Sequence, residues 1–183
     1  MQGRGNTVCD FQKTVCIDVM PALIQDCPEA VFTPQFSHFL VDFTSFLYEQ
    51  MFLAAADNAT AEDEPHLLEL MLASEEGHTV SEFWENEARY YREILRIGDN
   101  MLLKMSYNLL LQIFCRLTGS GIFRNLPLPI SLYREMHRNY IKAICAGDRK
   151  KISELSESYK HYGVDSYQNL ISDISDFGSI KTR

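Results

Sequence analysis

Apolar side chains recur along most of this chain at spacings of three and four residues, the period of an α-helix with one buried face. The pattern is clearest between residues 132 and 171, where it predicts two helices joined by Cys145-Ala146-Gly147-Asp148. Gly147 suits the left-handed conformation that follows a helix end, and Asp148 can cap the free amides of the next helix. We therefore expect these two helices to pack antiparallel in the core.

The same period predicts further helices upstream and one downstream. A long helix runs from Pro34 to about Ala56, a short one covers 66–74, and 57–65 between them reads as an acidic loop. Thr79 and Glu82 have the capping-box spacing at the start of another helix, which Gly98-Asp99-Asn100 separates from the next. A last helix is expected from about 164 to 177. The fold class is therefore all-α, an antiparallel bundle of about six to seven helices.

Two of these helices carry long apolar sets that we expect on buried faces. In the first long helix the set is Phe36, Phe39, Leu40, Phe43, Phe46, Leu47 and Met51. In the helix after residue 100 it is Met101, Leu102, Met105, Leu109, Ile113 and Leu117. The many methionines and aromatic residues can form a plain core or line a cavity for a long apolar ligand. Composition does not separate these two readings.

Charge and cysteine content narrow the class of protein. The 183 residues carry a formal net charge of -8, which argues against nucleic-acid binding by this chain alone, since phosphate contacts need clustered Lys and Arg. Five scattered cysteines without a CxxC pair are typical of reduced thiols in a cytoplasmic protein, and we expect them in the core. No apolar run is long enough for a membrane span, so no membrane partner is expected.

The usual signals of catalysis do not occur in the sequence. It has no phosphate-binding glycine loop, no GxSxG and no HExxH, and its five histidines lie far apart. We therefore expect no enzyme activity and structural roles for the histidines, with His137 hydrogen-bonded inside the bundle. A helical-bundle enzyme or a bundle that only mediates assembly are the alternatives from other functional classes.

Three stretches, in this order along the chain, resemble one regulator family. They are residues 2–8 (QGRGNTV) with the following 8–20, residues 91–100 (YREILRIGDN), and 143–148 (AICAGD) with 162–166 (YGVDS). Their order is similar to that in the GntR class of bacterial transcription regulators, in particular its fatty-acyl-CoA-responsive FadR subfamily. The resemblance implies a sensor that controls transcription in fatty acid metabolism.

The resemblance also implies a division into domains. Residues 1–10 are similar to the wing that ends the winged-helix DNA-binding head, 11–30 to the interdomain linker, and 31–183 to the helical effector-binding domain. The helix-turn-helix that precedes such a wing is absent from this sequence. Operator DNA is then expected to bind through that absent head, in a homodimer.

Most relatives in the GntR class hold a metal ion through one Asp and three His. The resemblance places these four positions on Ala88, Arg92, His137 and Tyr159, of which only His137 can ligate. The sequence therefore favours the FadR branch, which lacks the metal, and we expect no metal and no cofactor.

The effector implied by the resemblance is a long-chain acyl-CoA whose acyl chain lies inside the bundle. The ligand-binding residues predicted for it are Tyr91, Arg92, Tyr140, Tyr159, Tyr162, Gly163 and Ser166, with the family tyrosine falling on Tyr159 or Tyr162. The cavity is expected to be lined by Phe43, Phe46, Trp84, Tyr91, Met105, Leu109, Met136 and Tyr140. A sensor of another small carboxylate is the alternative in the same class.

Overall fold

The computed structural model describes residues 34–75, 79–119 and 130–160, which form six α-helices and no strand. The helices are α1 Pro34–Ala56, α2 Glu64–Glu75, α3 Val80–Gly98, α4 Met101–Gly119, α5 Ile130–Cys145 and α6 149–160. The prediction of an all-α bundle is confirmed. The predicted wing remnant (1–10), linker (11–30) and final helix (164–177) lie outside the described residues. The predicted loop 57–65 is shorter than expected, because a 3-10 turn, Ala61–Asp63, leads directly into α2.

The boundaries of α3 follow from local side-chain chemistry. Thr79 Oγ1 accepts a hydrogen bond from the Glu82 amide at 3.1 Å, and the Thr79 amide donates to Glu82 Oε2 at 2.9 Å, so the predicted capping box forms. At the other end Asp99 takes a left-handed conformation with φ 42°. Asn100 Oδ1 then accepts from the Leu102 amide at 3.0 Å and starts α4.

The turn between α5 and α6 has the predicted conformation. Gly147 has φ 65°, where a residue without Cβ is favoured. Its amide donates to Ile144 O at 3.0 Å, while the Asp148 amide donates to Ala143 O at 2.9 Å, the two bonds of a Schellman motif. Asp148 Oδ1 accepts from the Lys151 amide at 2.9 Å and caps α6.

Consecutive helices alternate in direction, so α1, α3 and α5 run one way and α2, α4 and α6 the other. Contacts between α1 and α3 progress in the same sense along both helices, from the ring pair Tyr48–Tyr91 to the close approach of Gly98 to Ala54. A Cβ at Gly98 would lie 3.1 Å from the Ala54 Cβ, so this position keeps α1 and α3 close. The contacts of α6 run along α1 in the opposite sense.

The core lies between α1, α2, α3 and α5, and residues of α4 and α6 close it. Its fully buried aliphatic members, from all six helices, are Met51, Leu67, Met71, Ile94, Leu110, Ile141, Ile144 and Ile152. Burial of such side chains is the main driving force of folding. Ile152 and Leu155 point into the core from α6.

Two predicted apolar faces are wrong in part. Phe39 and Phe46 of α1, and Met101, Leu102 and Met105 of α4, are between 59% and 74% exposed. In α4 the residue buried instead is Tyr107, which is two positions from Met105 and therefore on nearly the opposite side of the helix. Both apolar sets are wider than the stripe that neighbouring helices cover.

The expectation that the cysteines lie in the core is also wrong for the two that the structure describes. Cys115 is exposed and Cys145 is half-buried, because each falls beside the buried stripe of its helix. In the part of the chain that the structure describes, no helix combines the length and the apolar character needed to cross a membrane.

Candidate functional site

Aromatic rings from three helices pack into one continuous group in the bundle interior. Tyr91 of α3 stacks on Tyr48 of α1 with ring centroids 4.5 Å apart, and it also contacts Phe52 at 6.1 Å. Phe52 packs against Tyr140 of α5 at 4.3 Å. We call Tyr48, Phe52, Tyr91 and Tyr140 the aromatic layer. It provides a large, rigid apolar surface with hydroxyl groups at its edges.

The structure brings three of the predicted ligand-binding residues together in and beside this layer. Tyr91 and Tyr140 belong to it, and Tyr159 of α6 lies 6.0 Å from Tyr140, ring to ring. The Tyr140 hydroxyl donates to Ser156 Oγ at 3.1 Å, and Tyr159 Oη accepts from Asn139 Nδ2 at 3.1 Å.

The other predicted ligand-binding residues do not join this group in the described structure. The Arg92 side chain is exposed on the outer side of α3. Tyr162, Gly163 and Ser166 lie outside the described residues, so the choice between Tyr159 and Tyr162 stays a prediction. Of the residues expected to line a cavity, Phe46 and Met105 point outward and cannot do so.

A second group of interior residues is polar and was not predicted as a site. Glu87 and Tyr90 lie on successive turns of α3, and the His137 ring on α5 packs against the Tyr90 ring. Tyr90 and His137 are fully buried, and Glu87 is only 7% exposed. The Tyr90 and His137 rings meet edge to face at 4.9 Å. We call Glu87, Tyr90 and His137 the polar cluster.

Helical spacing explains why these side chains meet. Phe83, Glu87, Tyr90 and Ile94 follow one another at intervals of three and four, so the buried stripe of α3 includes a carboxyl group. On α5 the corresponding stripe is Tyr133, His137, Tyr140 and Ile144. Tyr133 packs on His137 at 4.1 Å and Tyr91 lies 5.8 Å from it, so aromatic rings surround the imidazole.

The polar cluster is not satisfied by the surrounding protein. No described residue offers a hydrogen-bond partner to Glu87 Oε2, to the Tyr90 hydroxyl or to either nitrogen of His137. The prediction that His137 is hydrogen-bonded is therefore wrong for the described structure. Buried polar groups in folded proteins are nearly always paired, and an unpaired one costs on the order of 1–3 kcal/mol. Three such side chains in one place indicate a position kept for something other than stability.

Burial also removes charge from the polar cluster. Desolvation raises the pKa of the Glu87 carboxyl to about 8 and lowers the pKa of His137 to about 3. It also raises the pKa of Tyr90 above the usual range. Near neutral pH these groups are therefore a carboxylic acid, a neutral imidazole and a phenol. Each can donate a hydrogen bond, and each can accept one.

The signal for Glu87 was present in the sequence. A glutamate that shares a helical stripe with Phe83, Tyr90 and Ile94 stands at a core position, where carboxyl groups are rare. Glu87 belongs to no enzyme motif and to none of the four positions that the resemblance assigned to a metal.

The four positions that the resemblance assigned to a metal differ in burial. Ala88 and His137 are buried, Arg92 is exposed and Tyr159 lies half-buried beside Tyr140. Within 34–75, 79–119 and 130–160 no group of three or more His, Cys, Asp or Glu side chains could hold a metal ion. Glu87 and His137 supply two donors, fewer than the three or four protein ligands of a typical zinc site. The predicted lack of a metal stays a prediction.

Comparison with known proteins gives one match. Residues 40–160 match the sequence model of the FCD domain, which covers most of the described helices. Neither the curated proteins nor the solved structures include a match to this chain.

Proposed function

This chain belongs to the FCD domain family, the C-terminal effector-binding domain of GntR-family regulators, and we propose that its bundle interior between α3 and α5 is the effector site. FCD domains serve transcription regulation, in which a small molecule controls binding to DNA. The observation that carries the proposal is the polar cluster of Glu87, Tyr90 and His137, which is buried and has no hydrogen-bond partner among the described residues for Glu87 Oε2, Tyr90 Oη and both His137 nitrogens. A bound ligand supplies the partners that these groups lack.

A ligand at this position can act on the whole bundle. α3 and α5 face each other across the polar cluster and the aromatic layer, and α1 contacts both through Phe52. A ligand that binds one arrangement of these helices more tightly shifts the population towards it. The shift changes DNA affinity when the two helix arrangements place the DNA-binding heads differently.

The effector we propose is a long-chain acyl-CoA. The support is the FadR-like order of sequence motifs together with the aromatic layer, along which an acyl chain can lie. Tyr140 and Tyr159 continue this surface towards the end of α6. In this proposal Arg92, Tyr162, Gly163 and Ser166 contact the CoA group, and the regulator is a homodimer that binds operator DNA through a winged-helix head.

The effector proposal is tested by thermal melting of the full chain with acyl-CoA esters of increasing length. Burial of each methylene contributes about 0.8 kcal/mol, so affinity and the melting shift should rise with chain length up to the limit of the site. Free CoA and short dicarboxylates are the comparison ligands. A melting shift that does not depend on acyl length, or that is larger with short dicarboxylates, contradicts the acyl-CoA proposal and favours a small-carboxylate sensor.

Matched variants locate the ligand. Tyr140→Leu removes a ring of the aromatic layer and should weaken acyl-CoA binding, whereas Met105→Ala changes an exposed side chain and should leave it unchanged. Gly163→Leu should weaken binding of the CoA ester while the melting temperature of the free protein stays the same. Equal effects of Tyr140→Leu and Met105→Ala contradict a site in the interior.

A further inference from the structure

The polar cluster consists of hydrogen-bonding groups with no cation among them. We infer that this site binds an uncharged carbonyl group of the effector, as in an ester, thioester or amide, and discriminates against a free carboxylate. The inference rests on the proposed function, because it assumes that the effector enters the interior between α3 and α5.

The buried polar groups of the cluster belong to two helices that pack against each other through aromatic rings. Glu87 and Tyr90 come from one face of α3, and His137 approaches from α5 with its ring 4.9 Å from that of Tyr90. Glu87 Oε2, Tyr90 Oη and both His137 nitrogens are buried and unpaired with respect to the described residues. A carbonyl oxygen has two lone pairs, so it can accept from two of these groups at once.

The surrounding side chains provide nothing to balance a negative charge. The titratable groups near the cluster are Tyr91 from α3, Tyr107 from α4, and Tyr133, Tyr140 and Cys145 from α5. The basic residues of the two helices that form the site are exposed instead: Arg89, Arg92 and Arg96 on α3, and Arg134, Arg138 and Lys142 on α5. Without a paired cation, burial of a carboxylate costs more free energy than burial of an uncharged carbonyl group.

Glu87 adds a further reason against an acidic ligand. A ligand carboxylate beside it would place two acidic groups together, which requires one of them to hold a proton. For a neutral carbonyl the same residue is useful, since burial raises the pKa of the Glu87 carboxyl to about 8 and it can donate its proton in a hydrogen bond near pH 7. Neutral His137, whose pKa burial lowers to about 3, adds one N–H donor.

A positively charged amine is the competing ligand for a carboxyl group among aromatic rings. It would bind with Glu87 ionised and with the tyrosine rings in cation–π contact. The two ligand classes make opposite demands on Glu87. A neutral carbonyl needs a donor, which glutamine also provides, whereas an ammonium group needs the negative charge, which glutamine lacks.

The test is calorimetric titration of the full chain at pH 7 with decanamide, decanoate and decylamine, which share one apolar chain and differ in charge. We expect decanamide to bind about tenfold more tightly than decanoate. Glu87→Gln should keep decanamide affinity within about threefold, while Glu87→Ala and Tyr90→Phe should each weaken it by about tenfold. Circular dichroism checks that each variant is folded, and Met105→Ala is the exposed control.

Three outcomes overturn the inference. Decanoate can bind more tightly than decanamide, or decylamine can bind best and lose its affinity in Glu87→Gln. The third outcome is that Glu87→Ala unfolds, while Tyr90→Phe and Glu87→Gln bind decanamide as tightly as the wild type does. Both of these variants keep nearly the native side-chain shape. The first two outcomes leave the sensing domain in place and correct only the class of ligand. If none of the three probes and no acyl-CoA binds the folded chain, the proposed function itself fails.

Discussion

Polar side chains are used in opposite ways at the α1–α6 contact and in the interior between α3 and α5. The polar contacts between α1 and α6 in the described structure lie at the surface. Arg149 donates to Leu53 O at 3.2 Å and pairs with Asp57, Ser153 Oγ donates to Glu49 Oε1 at 2.7 Å, and Lys160 pairs with Asp42 at 3.0 Å. Between α3 and α5 the polar cluster is buried and has no partner among the described residues.

On the function proposed above, the difference separates polar groups that align helices from polar groups that bind a ligand. A paired side chain at the surface fixes how two helices align and exchanges water for a partner at little net gain or loss. A buried, unpaired group destabilises the fold, so its presence in an otherwise well-packed core is best explained by a ligand. We therefore expect the free energy of unfolding to depend on pH and on conservative substitutions far more through the interior than through the α1–α6 contact.

The largest expected effect is on the pH dependence of stability through Glu87. Its pKa is 4.5 in the unfolded chain and about 8 in the folded protein. Between these values the folded state holds a proton that the unfolded state has lost, so stability falls as pH rises, by roughly 1 kcal/mol per pH unit. Glu87→Gln should remove this decline. Above pH 4.5 the variant should therefore have a larger free energy of unfolding than the wild type, and the difference should grow as pH rises.

Urea unfolding at several pH values measures this difference. Glu85→Gln, at an exposed position of the same helix, is the matched control for loss of a carboxyl group. Parallel stability curves for the wild type and Glu87→Gln would show that Glu87 is not buried as a neutral acid.

His137 should give a slope of opposite sign and similar size at lower pH. Its pKa is 6.5 in the unfolded chain and about 3 when buried. Below pH 6.5 the unfolded state takes up a proton that the folded state excludes, so stability falls as pH falls, by roughly 1 kcal/mol per unit. His137→Gln should remove that fall in the same urea experiments. A variant that keeps the wild-type acid slope would rule out His137 as its source.

Two conservative tyrosine substitutions compare an unpaired with a paired hydroxyl. Tyr90→Phe deletes a buried hydroxyl that has no partner in the described chain, so the free protein should become more stable by up to about 1 kcal/mol. Tyr140→Phe deletes a hydroxyl that donates to Ser156 and should lower stability by about 1 kcal/mol. Denaturant midpoints of both variants measure the two changes in stability. Changes of the same sign in both variants would remove the distinction between the unpaired and the paired hydroxyl.

The smallest expected effect is at the α1–α6 contact. A double-mutant cycle with Arg149→Ala and Asp57→Ala should give a coupling free energy below about 1 kcal/mol, because both side chains are more than half exposed. The coupling should decrease further in concentrated salt, which screens exposed charges. A coupling of several kcal/mol that persists in salt would mean that this contact carries the stability we assign to the core.

The sequence by itself determined the helices and their boundaries, because the interactions that start and end a helix are local. The capping box of Thr79 and Glu82 and the turn at Gly147 and Asp148 use residues a few positions apart, and both formed as predicted. The order of the motifs indicated the regulator family, which the FCD match of residues 40–160 confirmed.

The tertiary structure alone decided which side chains are buried, because burial depends on neighbours that are distant in sequence. Helical periodicity placed Phe46 and Met105 on apolar faces, yet no helix covers them in the described structure. The same packing carried Glu87 into the interior opposite His137, since α3 turns one continuous stripe towards α5. Periodicity sets the angular position of a residue on its helix, and only the arrangement of the other helices determines whether that position meets water or protein.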